Sequence, residues 1–193
     1  MPSLLDRKGN RKYLSPQERE EVLKATEKFP REIRTLIGVL LYTGCRISEA
    51  LALTADRVDL DEGLITFETM KQRKRGVFRS VPVPPKLLSM LDLVHSIRET
   101  SPGKGRKNRV RLWKIARTTA WRKVKEVIHA AGIERGSQVT PKGFRHGFGV
   151  AAVTAGIPLN LVQRWLGHAQ LTTTAIYADA VGAEEKKIAE RMW

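Results

Sequence analysis

Four short segments hold cations, histidines and a tyrosine whose types suit chemistry on an anion. The first is Thr43-Gly44-Cys45-Arg46-Ile47-Ser48-Glu49-Ala50-Leu51. The second contains Lys71 and, a little further on, Arg79-Ser80-Val81-Pro82-Val83. The third is Thr140-Pro141-Lys142-Gly143-Phe144-Arg145-His146. The fourth is Leu166-Gly167-His168, with Tyr177 nine residues later. A guanidinium stays charged at any ordinary pH and can hold two oxygens at once, so Arg46 and Arg145 suit an anion that gains charge as it reacts. Arg46 opens a helix after Thr43-Gly44, where backbone N–H groups add to an anion site. A single arginine in a basic chain is ordinarily a solvated surface charge. His146 follows Arg145 but points about 100° away around a helix, and reads as a buried supporting histidine, not a direct catalyst.

The composition names the class of partner. The 193 residues hold 35 Lys+Arg against 20 Asp+Glu, a formal charge of +15. A folded chain this basic usually meets a polyanion, most often nucleic acid. Ten cations and no acid lie between Ser101 and Lys125, among them Lys104, Arg106, Lys107, Arg109, Arg111, Arg117, Arg122 and Lys123. Arg73, Lys74 and Arg75 cluster beside Lys71. The acids gather elsewhere, from Glu18 to Glu21, from Asp56 to Glu62 and in the tail. A one-sided basic face and salt-dependent DNA binding are expected. One cysteine, Cys45, excludes an internal disulfide and a multi-cysteine zinc site. No carboxylate cluster suggests two metal ions, which disfavours a metal-dependent nuclease. No run approaches the ~18 to 20 apolar residues of a membrane span, and no signal peptide is evident. A cytoplasmic, prokaryotic protein with no membrane contact is expected, nucleoid-associated when on DNA.

These side chains must be positioned by a mainly helical α+β chain. Ser15-Pro16-Gln17-Glu18 starts a helix with a capping box. A buried central helix is expected over residues 31–42, ending at Gly44, and another restarts at 46–53. Residues 64–69 and 77–83 are rich in β-branched and aromatic types and predict a hairpin around a basic turn, with Arg57-Val58 as a third short strand. Helices are expected at 85–98, 118–131, from Thr140-Pro141 to near Gly156, at 158–165, at 171–177 and at 184–193. Residues 1–13 read as a polar, basic lead with no core pattern, 14–180 as one domain and 181–193 as a tail helix.

Taken together, the four segments resemble the catalytic domain of the tyrosine recombinases, the phage-integrase family, from about Tyr13 to Tyr177. The T-G-x-R-x-S-E-A-L run is fairly specific, and the R-H, L-G-H and downstream Tyr follow in family order. The resemblance implies a helical catalytic domain with a small three-stranded antiparallel sheet. It implies site-specific breakage and rejoining of double-stranded DNA through a 3′-phosphotyrosine, with no cofactor, metal or ATP, because the covalent intermediate conserves the bond energy. Tyr177 would be the nucleophile, Arg46 and Arg145 the phosphate clamps, His168 a phosphate donor. Lys71 would be the general acid, preferred to Lys74 because it directly follows the first strand of the hairpin. Glu49 would orient a neighbouring cation. Tyr42 lies in an apolar helix and suits packing.

Two departures stand out. Lys142 occupies a position where most members have His; it can donate to a phosphate but is a poor base unless its pKa is depressed. Most members also carry an N-terminal helical domain, so the chain is either a compact single-domain member, like the fimbrial inversion recombinases, or a fragment. Family members act as four protomers, with the tail docked on a neighbour, so a homotetramer on DNA and an exchanged tail are expected. The rivals are a type IB topoisomerase-like relaxing enzyme and a non-catalytic DNA-binding protein. Integration, excision, inversion and resolution stay open, as do the target site and any accessory protein.

Overall fold

The computed structural model describes residues 3–69, 76–100, 110–134 and 136–178, with positions 186, 189, 190 and 192 of the tail. Lys71, Arg73, Lys74, Arg75, Lys104, Arg106, Lys107 and Arg109 lie outside the described residues, as does most of the expected tail helix.

Helix α1 (Pro16–Ala25) begins as the capping box dictates. The Glu18 N–H donates to Ser15 Oγ at 3.2 Å, and the Ser15 N–H donates to the Glu18 carboxylate at 2.7 Å. Such a cap is worth about 1 kcal/mol. Helix α2 (Arg31–Thr43) is buried along Leu36, Ile37, Leu40 and Leu41 and stops at Gly44, whose φ of 60° is left-handed. Space also requires glycine at 44: a Cβ there would stand 2.6 Å from the Phe148 ring. The chain turns at once into the short helix α3 (Ile47–Leu51).

Three antiparallel strands follow in the order β1 (Val58–Asp59), β2 (Leu64–Glu68), β3 (Phe78–Pro82). The third strand expected at 57–58 thus sits one residue later, because Ala55–Arg57 forms a 3₁₀ turn. Ile65 pairs with both Val58 and Val81, and Phe67 pairs with Arg79. The alternation of β3 buries Arg79 and Val81 and exposes Phe78 and Ser80.

Helix α4 (Pro85–His95) is shorter than expected. Ser96 adopts a left-handed φ of 49° and separates it from α5 (Ile97–Thr100). A non-glycine residue there costs about 1–2 kcal/mol; the turn buries Ile97 and lets the Arg98 N–H reach Asp92 at 2.9 Å. Helices α6 (Arg117–Ala130), α7 (Pro141–Thr154), α8 (Leu159–Leu166) and α9 (Thr172–Ala175) complete the described fold. Helix α2 packs against α7 on one side and α4 on another, and α1 packs on α6.

The N-terminal lead is not a bare polar arm. Leu5 bridges to Arg11, the Lys12 N–H donates to the Leu4 carbonyl at 2.8 Å, and the resulting hairpin buries Leu4 and Tyr13. They join Phe148, Val150, Val162, Leu166, Ile176 and Tyr177 in a second, smaller core beside the main one. Two apolar residues nine apart carry no periodic signal; the turn between them puts both on one side.

Candidate active site

The left-handed turn at Gly44 delivers Arg46 as the residue that starts α3. The sequence suggests a backbone N–H free for an anion here, but that of Arg46 is already engaged. It donates to Glu49 Oε2 at 2.8 Å, while Arg46 Nη1 meets Glu49 Oε1 at 2.7 Å. Glu49 is fully buried and holds a second arginine: Arg79 Nη2 lies 2.6 Å from Oε2. Burial alone would raise the Glu49 carboxyl, but the bond and charge of Arg79, then those of Arg46, outweigh it and hold the group below the usual carboxylate range.

The sequence alone gives Arg79 no particular role. It donates Nε to the Trp165 carbonyl at 2.7 Å and Nη1 to Thr69 Oγ1 at 3.2 Å, with its guanidinium 5.3 Å from the Phe67 ring. Its signal is positional: it shares the inward alternation of Val81 and Val83, and a cation on an apolar face needs a partner.

Helix α7 supplies the next group. Thr140 caps it, accepting the Gly143 N–H at 3.2 Å, with Pro141 at the first position. Arg145 Nη1 donates to the Gly44 carbonyl at 2.9 Å and Nη2 to the Leu166 carbonyl at 2.7 Å. The two helix ends that flank the site are thereby tied to one guanidinium. Burial, then the charge of Arg46, lowers its pKa to about 10, which leaves it a cation at neutral pH. Lys142 is exposed at the rim. His146, one position beyond Arg145, is buried and reaches the nucleophile candidate: its Nδ1 lies 3.2 Å from Tyr177 Oη. His146 is buried as expected of a supporting histidine, and its contact with Tyr177 follows from the face of α7 that it shares with Lys142, four residues earlier.

Helix α8 ends at Gly167, with φ 66°, and presents His168. His168 Nδ1 sits 2.9 Å from Thr174 Oγ1, and its ring stacks on Tyr177 at 6.3 Å and 14°. Burial, then Arg145 and Arg46, pushes its pKa down to about 3, so the ring is neutral at pH 7. Tyr177 is 1% exposed. Burial raises its hydroxyl to about 12, with Arg145 and Arg46 pulling the other way. Gly149 makes room for the ring, since a Cβ there would fall 2.5 Å from Tyr177 Cζ.

Arg46, Lys142, Arg145, His146, His168 and Tyr177 all line one cavity of about 790 Å³, joined by Lys12, Arg117 and Trp121. Of the cations expected on a single basic face, the structure divides those it describes. Arg117 faces the cavity. Arg111 is exposed and bridges to Thr54. Arg122 and Lys123 instead pair with Glu126 at 3.6 and 2.6 Å, the acid that directly follows the acid-free stretch. Trp121, 41% exposed, stands one turn from Arg117 with Lys125 Nζ 4.9 Å from its ring centroid. Tyr42 is half-buried beside the main core. Among the described residues no three His, Cys, Asp or Glu side chains gather to hold a metal, and no helix is long and apolar enough to cross a membrane.

Comparison with known proteins decides the family. The sequence profile of the phage integrase family matches residues 12–183. The chain belongs to the phage integrase family. This integrase-family chain is 36% identical over 180 residues to the tyrosine recombinase XerA of Pyrococcus furiosus, covering 89% of the chain and 59% of the relative. It is 33% identical over 181 residues to XerA of Thermococcus kodakarensis, covering 90% and 61%. The chain thus spans about three fifths of the length of these two curated relatives. Among solved structures, a XerA recombinase superposes with a TM-score of 0.76 at 25% identity, covering 99% of the chain and 66% of that structure. A XerH recombinase bound to a palindromic difH substrate, in a post-cleavage complex, gives 0.74 at 26%, covering 98% and 56%. The integrase-family fold, mainly helical around a three-stranded sheet, is the one expected from the sequence.

Proposed function

We propose that this chain breaks and rejoins DNA strands at specific sites by transesterification, with Tyr177 as the nucleophile. The observation that carries the proposal is the convergence of Tyr177, Arg46, Arg145 and His168 on one cavity. In the forward step Tyr177 Oη bonds to phosphorus and the bond to the 5′-oxygen breaks, leaving a 3′-phosphotyrosine and a 5′-hydroxyl. Rejoining is the reverse. Negative charge grows on the non-bridging oxygens in the transition state. Arg46 serves them with the edge that Glu49 leaves open. A guanidinium has five N–H donors, so Arg145 keeps donors for phosphate beyond its two carbonyl bonds. His168, tied at Nδ1, offers Nε2 to the same phosphate. Lys142 at the rim is a further donor, and Lys71 is the acid for the leaving oxygen.

Support comes from the family and from relatives named tyrosine recombinases, one of them solved with its DNA substrate. The proposed partner is double-stranded DNA, contacted by Arg117 and by the basic residues at positions 71–75 and 104–111. The working assembly is a homotetramer with the tail exchanged between protomers. The reaction takes place in the cytoplasm.

The test is covalent capture. Duplexes from a randomised pool, nicked so that the released strand diffuses away, are incubated with the full chain in EDTA. A protein–DNA adduct that survives denaturation, and religates when a 5′-hydroxyl strand is supplied, is expected. A protein that binds the pool and forms no adduct would make the chain a DNA-binding protein only.

A further inference from the structure

The chemistry above leaves open where the proton of Tyr177 goes. Lys142 and His146 stand four residues apart on α7, hence on one face and a turn apart. Lys142 is exposed at the mouth of the cavity, and His146 is buried a turn deeper. An ammonium donates hydrogen bonds and accepts none, so Lys142 in its charged form cannot take the proton. His168 lies flat against the Tyr177 ring at 14°, with Nδ1 engaged by Thr174. His146 is different: its Nδ1 is 3.2 Å from Tyr177 Oη, and its ring is tilted by 58° to the phenol. Its second nitrogen, Nε2, is buried and has no hydrogen-bond partner among the described residues.

We infer that His146 is the proton acceptor for Tyr177. The inference rests on the nucleophile reading above. As Oη bonds to phosphorus, its proton passes to Nδ1 and the imidazole becomes imidazolium; the 5′-oxygen leaves and takes a proton from a separate donor. On rejoining, the 5′-hydroxyl returns its proton to that donor, attacks phosphorus, and His146 gives its proton back to Oη.

The surroundings suit the task. His146 faces Lys12 from the N-terminal hairpin, Lys142 and Arg145 from its own helix, Tyr177, and His168 from the turn after α8. Burial, then the charges of Lys142, Arg145 and Lys12, pushes its pKa down to about 4, so at neutral pH the ring is uncharged and able to accept. A bound phosphodiester sets negative charge among those cations and makes the imidazole more basic when the proton must move.

The experiment uses full chains carrying His146→Gln or His146→Asn, each checked by circular dichroism and DNA binding, on the duplex selected with the wild type. An amide oxygen accepts a hydrogen bond but does not take up a proton at this pH. Single-turnover cleavage at pH 7 is expected to fall by about 10²- to 10⁴-fold, with DNA affinity unchanged within a few-fold. The loss should persist on a substrate with a 5′-bridging sulfur, whose thiolate leaves without a proton; a residue serving the leaving group would be rescued there. The variants should also speed up steadily between pH 7 and 9, as hydroxide replaces the missing base, while the wild type stays flat. Cleavage within fivefold of wild type in a folded variant, or rescue by the bridging sulfur, would overturn the assignment. An absent adduct in the wild type would overturn it together with the nucleophile reading, so the two failures are distinct.

Discussion

Arg79 and Glu49 form an ion pair 2.6 Å long that is almost wholly closed to solvent, and it fastens strand β3 to the helix that starts with Arg46. The same guanidinium reaches the Trp165 carbonyl, next to Leu166, whose carbonyl holds Arg145. One buried cation therefore braces both arginines of the proposed clamp. Removing one partner of such a pair strands the other charge, at about 3–5 kcal/mol. Glu49→Gln should lower urea-denaturation stability by that amount, because it leaves the buried Arg79 cation without the carboxylate it pairs with, and Arg79→Ala by less, because Glu49 keeps Arg46. A loss below 1 kcal/mol for Glu49→Gln would show that water reaches Arg79 easily.

The clamp should matter to rate more than to binding. Arg46→Ala and Arg145→Ala should each slow cleavage by about 10²- to 10³-fold, the usual effect of deleting one preorganised donor. DNA affinity should change little, because the proposed DNA contacts include many other cations. Single-turnover kinetics beside gel-shift titration separate the two effects, and a tenfold or smaller loss of rate in both variants would disqualify the pair.

Gly149 is where the Tyr177 ring meets backbone. A Cβ placed 2.5 Å from Tyr177 Cζ must displace the ring or the helix, and overpacking of this kind costs about 1–3 kcal/mol. Gly149→Ala should lower thermal stability and slow adduct formation, whereas Gly149→Ala combined with Tyr177→Phe should regain none of the stability, since the clash is with the ring and not the hydroxyl. Unchanged melting in the single variant would mean that the ring moves freely.

Acid should unfold this chain through its histidines. His146 and His168 have pKa values near 4 and 3 when folded, against about 6.5 for the free side chain. The unfolded chain then binds more protons, so stability falls as pH drops from about 6.5 toward 4, with a limiting slope of roughly 1.4 kcal/mol per pH unit for each such group. Glu49, held low in the fold, adds its loss only below about 4.5. Denaturation midpoints between pH 7 and 4 should fall more steeply for the wild type than for His146→Gln. Parallel slopes would mean that His146 titrates normally in the fold.

Position 142 gives a separate test of the site. If Lys142 donates to phosphate, Lys142→His should keep cleavage at neutral pH, and Lys142→Ala should lose most of it. The cap at Thr140-Pro141 holds that turn of α7 in place whichever side chain is present. Full activity in Lys142→Ala would remove the residue from the catalytic set.

Much of this arrangement is legible in the chain because local rules fix it. The Ser15 capping box, the glycine at 44 and the Thr140-Pro141 start each set an element boundary through backbone chemistry a few residues long. Arg46 follows Gly44 by two residues, Arg145 lies on the second turn after the Thr140 cap, and His168 follows the helix-ending Gly167. What escapes is set by contacts distant in sequence. Arg79 finds Glu49 across 30 residues, and only its inward position on β3 hints at it. Ser96 breaks a helix without a glycine or proline to announce it. Leu4 and Tyr13 reach the core through a turn that no periodicity reveals. His146 meets Tyr177 across 31 residues, and its direction follows from Lys142 one turn back.

The proposed reaction requires that Tyr177 carry the DNA. The direct measurement is protease digestion of the captured adduct, nuclease trimming of the DNA, and mass spectrometry of the remaining nucleotide-bearing peptide. A single modified peptide is expected, with the 3′-phosphate on Tyr177, and none from a Tyr177→Phe chain. A nucleotide found on Tyr13, Tyr42 or a serine, or an adduct at full yield from Tyr177→Phe, would contradict it.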